Sequence, residues 1–202
     1  MIPPEDILCC RENPERLFRT LCKLLPSATA ADMLCLGPAL GEVIPELKPL
    51  LGFDQRSPHH AYDLYTHVAH VVAGVPGDLV LRWAALLHDI GKIPAFTRDE
   101  TGRGHFYGHA KLGADMAETV LRRLQAPDAL CSRVPVLIRN HMTKLKTDSL
   151  VQAVEELGYE TVDQLLYLQE ADMASKGMGI PPEMAQFPRL REALNKMGEK
   201  KL

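Results

Sequence analysis

Eight histidines, some beside carboxylates, are the residues best suited to chemistry in this chain: His59, His60, His67, His70, His88, His105, His109 and His141. The sharpest cue is RWAALLHDIGKIPAF at 82–96. Leu79, Val80, Leu81, Trp83, Ala84, Ala85, Leu86, Leu87 and Ile90 make this the most apolar stretch, and it ends on His88-Asp89, then Gly91 and Lys92. Polar groups in such a place need partners, because an unpaired buried charge is costly. A metal ion would satisfy an imidazole and a carboxylate together. Taken singly, a helical histidine is more often a surface or hydrogen-bonded residue than a ligand. His59 and His60 follow Pro58 at a helix start, where exposure is expected. His67 and His70 lie three apart on one helix face, so spacing does not choose between them. Asp172, in LLYLQEADMASKG, stands at the edge of an apolar face, a position open to a cap, a salt-bridge partner or a ligand.

These residues must be positioned by helices, since 3.6-residue periodicity dominates and strand-like alternation is scarce. Helices are expected over about 14–25, from Ser27 or Thr29 to Gly37-Pro38, over about 39–51, and from Pro58 over about 59–73. Asp78 is expected to cap a helix over about 79–91. Further helices are expected at about 109–125, 128–142, 149–156 and 161–176, with Pro127 and Pro135 tightening or kinking their neighbours. Between them TRDETGRGHFYG (97–108) reads as a long loop, a usual place for substrate contacts. After Ile180-Pro181-Pro182 comes one more amphipathic segment and a frayed, charged end, GEKKL. The class is all-α: a helical appendage over 1–51, a helical bundle over 52–180 and a tail over 181–202.

Bulk properties narrow the function. The 202 residues are 46% hydrophobic and carry a net charge of −3 with histidines neutral, which fits an ordinary globular protein and argues against binding nucleic acid by bulk charge. Arg122-Arg123 and Arg139 with Lys144 and Lys146 are short basic patches. Five irregularly spaced cysteines without a C-x-x-C pair indicate neither a zinc knuckle nor a disulfide framework. With no signal peptide and no run of about 18 apolar residues, the expectation is a cytoplasmic protein with no membrane partner. Ligation by nitrogen and oxygen suits Mn, Fe, Zn or Mg, and the lack of cysteine ligands disfavours a purely structural zinc. Such a cluster could activate water and steady a phosphate oxygen.

His67, then His88-Asp89, then Asp172 resembles the H…HD…D signature of the HD superfamily of metal-dependent phosphohydrolases, an all-α fold. LGFDQRSPHHAYDLYTHV, LRWAALLHDIGK, TRDETGRGHFYGHAKLGADMAETVLRRL and VLIRNHM further resemble the HD domain of bacterial CCA-adding tRNA nucleotidyltransferases and their poly(A) polymerase relatives, over roughly 37–176. The resemblance implies one metal on His67, His88, Asp89 and Asp172. It implies a second on Asp89, His109 and His141, with Asp89 bridging the two divalent ions (Mn, Fe, Ni, Zn or Mg). It favours His67 over His70, makes His105 either a support behind the metal ligands or a substrate-side group, and sets Lys92 beside the metals as a point-charge partner for phosphate. The Gly-Ser motif and paired acids of that family's nucleotidyltransferase head are not matched, so nucleotide addition is not expected, and the helical tail that helps hold tRNA is expected to be short or missing.

The expected activity is hydrolysis of a nucleotide phosphomonoester or 2′,3′-cyclic phosphodiester. Asp89 and Lys92 would serve catalysis, and Arg98, Arg103 and His105 would contact a small nucleotide or an RNA-end phosphate. Two other readings compete: a catalytically silent tRNA-binding module, and a structural bundle whose His and Asp residues only bond one another. The apolar helices of 14–51 suggest a homodimer face.

Overall fold

The computed structural model describes residues 2–58 and 60–199; His59 and Lys200–Leu202 of the expected frayed end lie outside the described residues. The all-α expectation is met. Along the chain come α1 (Pro4–Leu8), α2 (Pro14–Leu24), α3 (Ala30–Val43), α4 (Leu64–Gly74), α5 (Leu79–Leu87), α6 (Lys92–Ala95), α7 (His109–Arg123), α8 (Asp128–Asn140), α9 (Leu150–Leu157), α10 (Tyr159–Ala174) and α11 (Gln186–Glu199). Short 3-10 turns join several of them. Two two-residue strands, β1 (Thr97–Arg98) and β2 (Gly104–His105), pair antiparallel with Thr97 opposite His105.

The central rod is α5. Asp78 caps it by accepting from the Leu81 amide at 3.0 Å, and almost every side chain on it is buried, as an apolar-all-round helix requires. It packs against α4, α8 and α10, while α7 lies along α8 and touches α6. Arg82 is the one cation inside α5. Its guanidinium donates to the carbonyls of Pro76 (3.0 Å) and Ala28 (2.9 Å), tying the N-terminal helices to the rod. Phe18 of α2 stacks on Trp83, ring centroids 5.8 Å apart. One continuous core therefore runs from Ile7 to Leu194, across positions 51 and 180. Within the 14–51 segment, Leu17, Leu21, Met33, Leu36 and Leu40 are buried inside the chain, while Leu34 is exposed.

Several element boundaries differ from expectation. Thr29 does cap α3, in a reciprocal capping box with Asp32. The helix then runs through Pro38 to Val43, where two shorter helices were expected, because Met33, Leu36 and Leu40 bury a common face that outweighs the ~3 kcal/mol cost of an interior proline. Residues 45–50 are 3-10. The helix expected from Pro58 starts at Leu64, since Asp63 accepts from the amides of Tyr65 and Thr66 at 3.0 and 3.1 Å. The loop at 97–108 contains the small hairpin.

Candidate metal centre

Four histidines converge below this scaffold, and three come from helix ends. His88 is the C-cap of α5, His141 the C-cap of α8, and His109 the first residue of α7. His67 comes from the middle of α4 and is fully buried, whereas His70 turns outward and stacks on Tyr62.

Each of the four rings is held the same way. Nδ1 of His88 donates to the Ala85 carbonyl (2.8 Å), that of His109 to Phe106 (2.8 Å) and that of His141 to Ile138 (2.6 Å). Nδ1 of His67 donates to Ser175 (3.0 Å), just past the end of α10, in the turn that follows Asp172. Such outer bonds fix the tautomer and orient the ring. With Nδ1–H committed to a carbonyl, each ring turns its Nε2 to the interior.

Those nitrogens meet the two oxygens of Asp89, which is itself buried. Oδ2 lies 3.2 Å from His88 Nε2 and 3.5 Å from His67 Nε2. Oδ1 lies 3.5 Å from His109 Nε2 and 4.0 Å from His141 Nε2. Asp172 joins the first set through Oδ1, 3.1 Å from His67 Nε2. Within His67/His88/Asp89, and again within Asp89/His109/His141, the ligand atoms lie within 4.8 Å of one another.

Residues so arranged fit a cation better than they fit one another. His109 Nε2 and His141 Nε2 stand 3.3 Å apart, and neither carries a proton to share. His67 Nε2, His88 Nε2 and both Asp89 oxygens are buried without a hydrogen bond of good geometry. Natural cores rarely tolerate such orphans, and a cluster of them marks a missing ion or a functional role. Gly91 allows the approach. A Cβ there would lie 2.5 Å from the Gly113 amide and would also strike the His109 carbonyl, so only glycine lets the start of α7 come this close.

Electrostatics divides the histidines. Burial opposes charge on His88, yet the Asp89 and Asp172 carboxylates raise its pKa above the ordinary imidazole range. Burial holds His109 below that range and pushes His141 down to about 4. Burial would raise the Asp89 and Asp172 carboxyls, but the neighbouring cationic groups hold both well below the usual value. Both carboxylates are held in the ionised form.

Lys92, one turn past Asp89, is buried with Nζ 2.8 Å from Asp89 Oδ2 and 2.9 Å from the Gln55 side-chain oxygen. It faces an open cavity of about 270 Å³ whose walls include Asp89, His60, His105, Tyr107, Met142 and Lys176. Of the substrate-side residues expected from sequence, His105 lines this cavity. Arg98 and Arg103 stand exposed on the hairpin, outside the described cavity wall, with Arg98 lying over the Phe96 ring.

Sequence reasoning missed His60, Gln55 and Lys176. His60, expected to be exposed, is half-buried with its ring 5.3 Å from that of His67. Burial and the nearby Lys92 push its pKa down to about 3. A clue was its place in QRSPHHAYD, ahead of the Asp63 cap and so outside the helix, where Gln55, Ser57 and His60 lie against the site.

A helical scaffold converging His and Asp ligands on a central HD doublet defines an HD domain. The HD domain family profile matches residues 64–177, and the chain belongs to that family. Among curated proteins it is 38% identical to the A-adding tRNA nucleotidyltransferase of Deinococcus radiodurans, over 86% of this chain and 42% of that protein. It is 36% identical to the CC-adding tRNA nucleotidyltransferase of Thermus thermophilus (81% and 40%) and 31% identical to the Multifunctional CCA protein of Methylococcus capsulatus (89% and 46%). The chain thus spans less than half the length of these relatives.

Proposed function

We propose that this chain is a divalent-metal-dependent phosphohydrolase, acting on a nucleotide phosphomonoester or a 2′,3′-cyclic phosphodiester such as an RNA end. The observation that carries the reading is the division of Asp89: one buried oxygen for each of two sets of oriented histidines. His67, His88, Asp89 and Asp172 would hold one ion, and Asp89, His109 and His141 a second. Bound there, divalent ions of the Mn, Fe, Ni, Zn or Mg kind would supply Lewis acidity, activating water and neutralising charge on phosphoryl oxygens.

The chain's own residues add the rest. Asp89 sets the register between the two ligand sets. Lys92 holds Asp89 in place and sets a cation on the cavity floor, where it can attract a phosphate. Lys176 and His105 extend the polar wall toward the opening. Arg98 and Arg103 are kept as contacts for a longer substrate reaching past the hairpin. A reducing cytoplasm suits the five unpaired cysteines.

A second reading, a catalytically silent tRNA-binding module, is favoured by the names of the relatives alone. Hydrolysis of adenosine 2′,3′-cyclic phosphate and adenosine 3′-monophosphate, with each metal added in turn, separates the two. The phosphohydrolase reading expects turnover that Asp89→Asn lowers at least about a thousandfold. No turnover with any metal, together with salt-sensitive binding of tRNA in a mobility shift, would instead establish the module.

A further inference from the structure

Tyr107 is 79% exposed, yet it lines the same cavity as Asp89, Lys92 and His109. A tyrosine ring at a polar cavity offers a flat apolar face with a polar tip, a surface suited to a planar ligand. His105 lies parallel to its ring, with centroids 5.4 Å apart and planes 7° apart.

That pair is braced from behind. The Tyr107 hydroxyl meets His105 Nδ1 at 3.3 Å, and His105 Nε2 meets Asp99 Oδ2 at 2.7 Å. Asp99 in turn accepts from the Thr101 amide (2.9 Å), the Thr101 hydroxyl (2.6 Å) and the Arg103 amide (3.1 Å). The hairpin is pinned by the Gly104 amide donating to the Arg56 carbonyl at 3.0 Å, and Phe96 and Phe106 pack beneath it, 5.4 Å apart. Met142, 59% exposed and next to His141, offers a thioether to the same cavity.

We propose that Tyr107, backed by His105 and accompanied by Met142, is a stacking platform for a nucleobase, so that the ligand of this cavity is a nucleotide and not a simple phosphate ester. The inference rests on the phosphohydrolase reading for the floor of the cavity and adds the part of the ligand that the floor does not grip. A flat π face at the opening and cationic groups at the base match a molecule with a planar ring at one end and a phosphate at the other. Stacking tolerates any base, so the platform selects for nucleotides as a class.

The test is equilibrium binding, so it does not depend on turnover. The probe is a non-hydrolysable phosphonate analogue of 2-aminopurine riboside 3′-monophosphate, whose fluorescence falls on stacking; inorganic phosphate is the competitor control. Wild-type protein should quench the probe. Tyr107→Ala should lose the quenching and bind roughly tenfold or more weakly, with phosphate affinity unchanged, and Tyr107→Phe should keep both properties. Equal quenching and affinity in wild type and Tyr107→Ala would overturn the platform. So would a probe that binds wild type no better than phosphate. Probe binding that depends on Tyr107 in a protein without hydrolysis would sink the phosphohydrolase reading and leave the platform standing.

Discussion

Asp89 carries two jobs at once, because its oxygens face different histidine pairs 3.2–4.0 Å away. His141 carries one, and its depressed pKa makes it a gauge of the site's polarity. In chelator-treated protein the unfolded chain takes up a proton at His141 near the ordinary imidazole value of ~6.5, whereas the folded chain resists until about 4. The unfolded state therefore binds more protons between those values. Stability from this group is present above about pH 6.5 and is lost as pH falls through about 4, to a limit on the order of 3 kcal/mol. Urea titrations at about pH 7.5 and pH 4.5 should show wild type losing more stability over that interval than His141→Gln. An equal loss in both proteins would contradict the assignment. Little of this detail was legible in the sequence. The histidine types and their order were readable in HDIGK and RNHM, but the Nδ1 anchors are not, since they depend on carbonyls left with spare capacity at helix ends. His60 was misjudged because Pro58 suggested a helix start, when the capping residue five positions on, Asp63, took that role.

Among the elements, the start of α7 decides whether His109 reaches Asp89, and Gly91 controls that approach. Gly91→Ala would press a methyl group against the His109 carbonyl and the Gly113 backbone. The expected cost is about 1–3 kcal/mol of stability, the range for overpacking, with disproportionate loss of the ion held by His109 and His141. Denaturant midpoints and metal content together check this; a variant as stable as wild type with full metal content would refute it. The strongly apolar α5 and its Asp78 cap were plain from sequence. Pro38 inside α3 was not, because tertiary burial overrode a local breaking signal. Strands of two residues are too short to show alternation, so the hairpin read as loop.

At the scale of the molecule, the N-terminal helices are part of the same core as the HD helices, joined by Arg82 and the Phe18–Trp83 stack. The all-α class followed from periodicity. That the first fifty residues pack inward did not, since an amphipathic face in sequence does not reveal what covers it. The HD region and its layer of supporting helices form a unit that matches less than half of the nucleotidyltransferases it is similar to, and its site can be tested directly. The decisive measurement is metal content by mass spectrometry on untagged protein purified without chelator, beside Asp89→Asn, His88→Gln and His141→Gln. The account predicts about two divalent ions per chain in wild type, both lost in Asp89→Asn and about one lost in each histidine variant. No bound metal, and none taken up from Mn, Fe, Ni, Zn or Mg, would contradict it.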